Sequence, residues 1–330
     1  MPENILEKNC INGFFLIDKE SGINSFKLVM ALRRILGMKR VGFAGTLDPL
    51  ASGLMVLACG EYTKLLPYLE SAEKVYEVLV RMDGTSDTYD ADGQISELDP
   101  KSYTSPSYEV VNKTIEQNFV GKLQQIPPRF SAISIDGQRA YDMARAGKEF
   151  EMKPREVTIF SVELLEYAFP LLRLRVHCSS GTYIRSLAYD IGRALGVGGY
   201  VVELRRVAIG KIPVEKAVLL PALESGTWSE HLAPVEGLLS GMGKCELTEE
   251  QYRVLALGNF VEAKSAKCKA QSGAEGAGSI ECKAQSGAEG AGSVGADECV
   301  LAYYRGVVVG VLETCEGGKK LKFRKKLHIV

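Results

Sequence analysis

The sequence predicts an α+β (mixed α/β) fold over residues 1–240, followed by a small β-rich module over 244–330. Three observations carry this. Apolar residues recur with period two in several short runs, the mark of half-buried strands, and with period 3.6 in segments between them, the mark of helices. The twelve residues Cys268–Ser279, CKAQSGAEGAGS, recur unchanged as Cys282–Ser293 inside a Gly-, Ala- and Ser-rich stretch. A further apolar run with its own turn follows that stretch.

Taken in order, Phe14–Ile17 reads as a short strand. Asn24 or Ser25 caps a helix with apolar residues at 26, 29, 30, 32, 35 and 36, ended by Gly37. Leu54–Cys59 is continuously apolar, as a buried strand is. Val75–Met82 alternates, with Tyr76, Val78, Val80 and Met82 on one face. Leu172–Cys178 alternates likewise, with Arg173, Arg175 and His177 opposite. Ile184, Leu187, Ala188, Ile191 and Leu195 mark a helix closed by Gly196. From about Ser265 to Ala296 there is no apolar period, so a flexible linker or a surface-loop insertion is expected. Cys299–Tyr304, Arg305-Gly306 and Val307–Leu312 then read as strand, turn and strand.

The chain has 330 residues, 46% hydrophobic and 25% charged, which suits one large and one small domain and excludes global disorder. No apolar run approaches the ~18 residues of a membrane span. Met1–Cys10 is polar and lacks the apolar core of a secretory signal, so a cytoplasmic protein is expected. The eight cysteines form no CxxC pair, and neither a metal nor another cofactor is expected. The net charge of −1 is silent about nucleic acid, because phosphate contacts need local clusters. Lys319, Lys320, Lys322, Arg324, Lys325 and Lys326 form one such cluster, readable as a solvated tail or as an RNA-binding patch.

Two segments carry chemistry. In Gly42–Gly53, three glycines bracket the single carboxylate Asp48, and Pro49 biases it towards an extended backbone. In isolation an Asx-turn or helix cap accounts for such an Asp-Pro. The second segment, Ser179–Leu187, leads from a strand into a helix. With Thr182 as N-cap, Arg185 stands at N3, where a cation opposes the helix dipole at about 0.3–1 kcal/mol. That position makes sense if Arg185 pairs with a carboxylate or phosphate.

GTLDPLASG at 45–53, KVYEV at 74–78, GTSDTYDADG at 84–93 and SSGTYIRSLAYDIG at 179–192 together resemble the TruB family of pseudouridine synthases. Leu16–Lys19 with Gly22, Gly60–Lys64, Pro127–Arg145 and Leu204–Gly210 fall in the family's order around them. The resemblance spans most of residues 12–215. The C-terminal module is more weakly similar to a PUA-like RNA-binding domain.

The resemblance implies a catalytic domain with a central mixed, largely antiparallel sheet and a thumb-like insertion at about 124–155. It implies isomerisation of uridine 55 in the T loop of tRNA to pseudouridine, without cofactor, by a chain that acts alone as a monomer. A tRNA-folding role can accompany the catalysis. Asp48 is the implied nucleophile or covalent partner, Tyr76 the platform for the flipped base, and Arg185 the partner of Asp48. Lys19, Phe43, Lys64, Asp90, Tyr183 and Leu204 are implied to line or support the pocket, with Arg129 and Arg145 in the insertion. Phe43 stands where the family usually has His, Ala44 where it often has Thr, and Lys19-Glu20 where it usually has Lys-Pro. His177, His231 and His328 match no catalytic position and read as structural.

A flipped base leaves its stack, and an aromatic platform restores part of that loss. A cation beside Asp48 is expected to favour the ionised, nucleophilic carboxylate. Attack on the sugar, attack on the uracil ring and a glycal-type route all remain open. Two rival readings are a guide-RNA-dependent synthase with the same chemistry, and an RNA chaperone without catalysis. A nicotinamide oxidoreductase is excluded, since no GxGxxG lies between a strand and a helix.

Overall fold

The computed structural model describes residues 11–224, 226–269, 299–315 and 319–329. Its large sheet has the strand order Leu232–Ala233, Gly13–Lys19, Ser52–Cys59, Tyr200–Ile209, Lys74–Arg81, Leu171–Cys178, Arg155–Ala168, Gly121–Gln125. Neighbours are antiparallel except Tyr200–Ile209, which runs parallel to Ser52–Cys59 through Arg205↔Ser52 and Arg206↔Gly53. The sheet is therefore mixed and largely antiparallel, as expected. Arg206 also faces Tyr76 in register. Gly53, Arg206 and Tyr76 thus stand side by side on three neighbouring strands, at the level where the Asp48 loop enters the sheet.

Strand alternation separates two apolar layers. On one face Phe15, Ile17, Met55, Val78 and Leu174 pack against the helices Ser25–Leu36, Tyr108–Asn118 and Ile184–Leu195. On the other, Phe14, Leu54 and Val56 meet Leu65 and Leu69, and the same buried cluster continues into Leu301, Val308 and Val311. Those last residues belong to a six-stranded sheet of order Val261–Glu262, Lys320–Lys326, Val307–Cys315, Cys299–Tyr304, Gly243–Glu246, Lys267–Lys269. Its hairpin turns at Arg305 (φ 52°) and Gly306 (φ 77°), the two left-handed residues a type I′ turn needs.

Several sequence expectations change. Asn24 is the helix cap, its side chain accepting from the Phe26 N–H. The buried stripe of that helix is Ser25, Leu28, Val29, Leu32 and Leu36. Phe26 and Met30, two of the apolar residues that mark the helix in the sequence, are half exposed, and Arg33 covers the Phe26 ring at 5.9 Å. A stripe at i, i+3, i+4 and i+7 selects Leu28, and a count of apolar residues alone does not show where it lies.

The first copy of the repeat does not begin in a linker. Lys267–Lys269 pairs antiparallel with Gly243–Glu246, and Cys268 is disulfide-bonded to Cys245 directly across the ladder. The remainder of both copies lies outside the described residues. The basic C-terminal cluster is not a solvated tail either, since Lys320–Lys326 is a paired strand. Glu313 neutralises Lys322 at 3.1 Å and Arg324 at 3.4 Å.

The two sheets are also joined by a polar hub. Glu61 accepts from Arg40, from Lys64 Nζ at 2.8 Å and from the His328 N–H at 2.9 Å. Burial by itself would raise the Glu61 pKa; the bonds from Lys64, His328 and Arg40 outweigh it and hold the carboxyl down at about 2.

Candidate active site

The loop carrying Asp48 is fixed from below. The Ser25 hydroxyl donates to Leu47 O at 2.7 Å and accepts from the Leu47 N–H at 3.0 Å. Pro49 O accepts from the Gly22 N–H at 2.8 Å and from Lys19 Nζ at 3.2 Å. Arg206 Nη2 donates to Gly45 O at 3.2 Å. Gly53, at φ +104°, closes the loop where a Cβ would lie 2.3 Å from Arg206 O. No other residue fits that crossing without displacing the backbone.

Arg185 comes from the opposite side. The helix Ile184–Leu195 is capped by the backbone of Tyr183, so Arg185 stands at N2, one position earlier than a Thr182 cap implies. Its side chain is buried, and Nε lies 2.9 Å from Asp48 Oδ2. The Nε–H is not aligned for a hydrogen bond there, so the contact is an ion pair. Nη1 reaches Asp90 Oδ2 at 3.2 Å and donates to Thr88 O at 2.8 Å. Nη2 donates to Phe130 O at 3.0 Å. The expected Arg185–Asp48 pair is thus present and is one arm of a four-point grip.

Between these walls lies a cleft of about 310 Å³, lined by Asp48, Tyr76, Tyr183, Leu204, Arg206 and Ser131 among others. A volume of that size lies at the small end of the range for ligand pockets. Tyr76 is half-buried on the cleft wall, beside Arg206 on the neighbouring strand. Burial raises its pKa, so the phenol keeps its proton at neutral pH. Tyr183 is held by a two-way bond to the Gln125 amide at 2.8 and 3.0 Å, and Arg155 lies over its ring at 5.6 Å.

Asp48 keeps 37% of its side chain exposed to the cleft. The surrounding protein desolvates the carboxyl and raises its pKa; Arg185 opposes that rise and Asp90 adds to it. Arg185 thus favours the ionised form, as expected from sequence, while burial, which the sequence does not show, outweighs it. Lys19 is buried beneath the loop, where it donates to Ile23 O at 2.7 Å. Burial lowers its pKa to about 8 against the pull of Asp48.

Of the other residues singled out by sequence, Asp90 and Leu204 fall at the site. Phe43, Lys64, Arg129 and Arg145 do not reach the cleft. Phe43 packs against the core, and Lys64 turns to the C-terminal sheet, where it donates to Lys326 O at 2.8 Å. Arg129 lies over Phe150 at 4.8 Å and Arg145 over Tyr141 at 5.7 Å, both within the insertion.

Sequence reasoning missed Arg206, Lys74 and Ser131 on the cleft wall and the carbonyls of Thr88 and Phe130. Lys74 carries a usable signal, since it stands two residues before Tyr76 on an alternating strand. Burial lowers its pKa to about 8, with Arg206 adding to the shift. The carbonyls leave no mark in a sequence.

A family model described as TruB family pseudouridylate synthase (N-terminal domain) matches residues 33–184. A second, the tRNA pseudouridylate synthase B C-terminal domain, matches residues 185–240. The tRNA pseudouridine synthase B of Azoarcus sp. (strain BH72) is 41% identical over 256 residues, covering 77% of this chain and 84% of the relative. That of Histophilus somni (strain 2336) is 36% identical over 259 residues, covering 76% and 83%. Among solved structures, a Cbf5–Nop10–Gar1 complex superimposes with a TM-score of 0.70 at 20% identity, covering 98% of this chain and 87% of that one. At that identity the likeness speaks for the fold. The chain belongs to the TruB family of pseudouridylate synthases, and its enzyme class is isomerase.

Proposed function

We propose that this chain isomerises uridine 55 in the T loop of tRNA to pseudouridine, with Asp48 as the reacting carboxylate. The observation that carries this reading is the Asp48 carboxylate, open to a cleft of about 310 Å³ and gripped through Arg185. The relatives' names support tRNA as the substrate. In the reaction the C1′–N1 bond breaks and a C1′–C5 bond forms; C5 loses its proton and N1 gains one. Atoms and electrons balance without an oxidant or reductant.

Asp48 serves as the ionised carboxylate in each of the three routes open to it. The Tyr76 ring supports the flipped uracil, and its neutral phenol is available for proton transfer at the sugar. Arg185 holds Asp48 and, through Phe130 O, ties the insertion to the site. The insertion, with Arg129 and Arg145, contacts the T-arm phosphates outside the cleft.

Asp48→Asn is expected to abolish turnover and leave tRNA binding within about twofold, as removal of a group used only in the chemical step does. A tRNA-folding role, being independent of chemistry, survives in that variant. Pseudouridine mapping on a tRNA transcript, with the purified chain as sole protein, tests the reading. A variant retaining more than about 5% of the wild-type rate removes Asp48 from the mechanism.

A further inference from the structure

Tyr89 holds a left-handed backbone, φ +65°, although it is not glycine. Such a conformation persists in a bulky residue only where the surroundings enforce it. It lies between Thr88, whose carbonyl accepts from Arg185 Nη1, and Asp90, which pairs with the same nitrogen. The left-handed turn is what lets a backbone carbonyl and a side chain two residues apart converge on one guanidinium.

Two features enforce the turn. The strand Tyr200–Ile209 holds its backbone, with Ala91 N–H donating to Val201 O at 2.8 Å and Val201 N–H donating to Tyr89 O at 3.0 Å. The Tyr89 ring is stacked on Tyr189, with centroids 4.2 Å apart and planes 17° from parallel. Tyr189 is four residues after Arg185 on the helix Ile184–Leu195, hence on the same face one turn on. A single helix face therefore grips three successive residues: Thr88 and Asp90 through Arg185, and Tyr89 through Tyr189.

We propose that Tyr89 and Tyr189 are positioning residues whose stacked rings set the geometry of the Asp90–Arg185–Asp48 chain. The proposal rests on the assignment of Asp48 and Arg185 to catalysis. Neither ring lines the cleft, so they act through Arg185 and do not touch the substrate. Without the stack, the 88–90 turn relaxes towards ordinary backbone angles. Arg185 then loses the convergence of Thr88 O and Asp90, and its guanidinium no longer stays beside Asp48.

The test uses the full chain with Tyr189→Ala, Tyr89→Ala and the retaining variants Tyr189→Phe and Tyr89→Phe. Tyr89→Ala removes the ring and keeps a Cβ strained at φ +65°, so the turn loses the stack while the pressure to relax remains. Turnover is read as tritium released from a tRNA transcript labelled at uridine C5. Both stack-breaking variants are expected to lower kcat about three- to tenfold, the rate equivalent of one aromatic stack. KM for tRNA should stay within about twofold, because no group that touches the RNA changes.

The decisive readout is the acidic limb of the kcat–pH profile, which does not depend on how much enzyme is folded. It should move to higher pH, because a wandering Arg185 stabilises the Asp48 carboxylate less. The charges facing Asp48 are Arg185, Asp90 and Lys19, and the phenols facing it are Tyr76 and Tyr183. The stack itself is faced by Asp190, Arg193 and Arg129. All of these are retained in the four variants.

Both Phe variants should keep the wild-type limb and rate. Wild-type limbs in Tyr189→Ala and Tyr89→Ala overturn the proposal, as does a Phe variant as impaired as the stack-breaking ones. If Tyr189→Ala does not fold, Tyr89→Ala alone decides. Failure of the wild type to release tritium would instead overturn the underlying assignment.

Discussion

Replacing Arg185 by Lys tests whether the grip on Asp48 depends on the shape of the guanidinium or only on its charge. Arg185 spans four acceptors with three nitrogens: Asp48 from Nε, Asp90 and Thr88 O from Nη1, and Phe130 O from Nη2. A lysine offers one nitrogen at one point, so it cannot serve the Asp48 side and the Phe130 side together. At least two contacts are lost. Bonds involving a charged group contribute about 1.5–3 kcal/mol each, so about 3–6 kcal/mol of alignment goes with them. If the transition state feels that whole loss, kcat falls about 10²–10⁴-fold. Breaking a buried charged network also costs about 3–5 kcal/mol of stability, a fall in Tm of about 10 °C for a domain of this size. Tritium release from C5-labelled tRNA measures the rate, and calorimetry measures the Tm. A folded Arg185→Lys protein working within about tenfold of the wild-type rate would refute the reasoning, because charge alone would then suffice.

Three further outcomes are expected. Asp48 acts ionised, so activity is present above its pKa and lost as pH falls through it; burial raises that pKa above 3.8, and a kcat profile still flat at about pH 4 would contradict this. Glu61, held down from 4.5 to about 2, contributes stability that is complete above 4.5 and lost as pH falls towards 2. Glu61→Gln should therefore lower the Tm at pH 7 by the equivalent of about 2 kcal/mol, and calorimetry across that acid range should show the gap closing. Lys319 and Lys325 are the exposed members of the basic C-terminal cluster. Changing both to Gln should reduce the salt slope of tRNA binding by about one unit per lost phosphate contact, and an unchanged slope would show that they face only solvent.

What the sequence determined by itself is local. The alternation of Val75–Met82 placed Val78, Val80 and Met82 in the core and Tyr76 on the same face. The Arg305-Gly306 pair specified its hairpin turn, and Gly37 and Gly196 ended their helices in left-handed conformations. The glycine-bracketed Asp48 and the helix-entry Arg185 were legible because each breaks a local preference. An Asp-Pro among glycines and a cation in the first turn of a helix both call for a partner elsewhere. Together, the motifs also identified the family.

Tertiary structure decided the rest, because those features depend on which distant segments meet. Arg206 faces Tyr76 only through the register of two strands about 130 residues apart in sequence. Lys64 lies near the site residues in sequence order but turns to Lys326 O, since Glu61 and the C-terminal strand offer it a partner. The stripe that makes Leu28 core and leaves Phe26 outside is fixed by the neighbours of the helix. The pKa of Asp48 rises because the assembled walls remove water, a quantity no motif contains. Backbone carbonyls are present at every position, so the choice of Thr88 and Phe130 as acceptors for Arg185 exists only once the chain has folded around it.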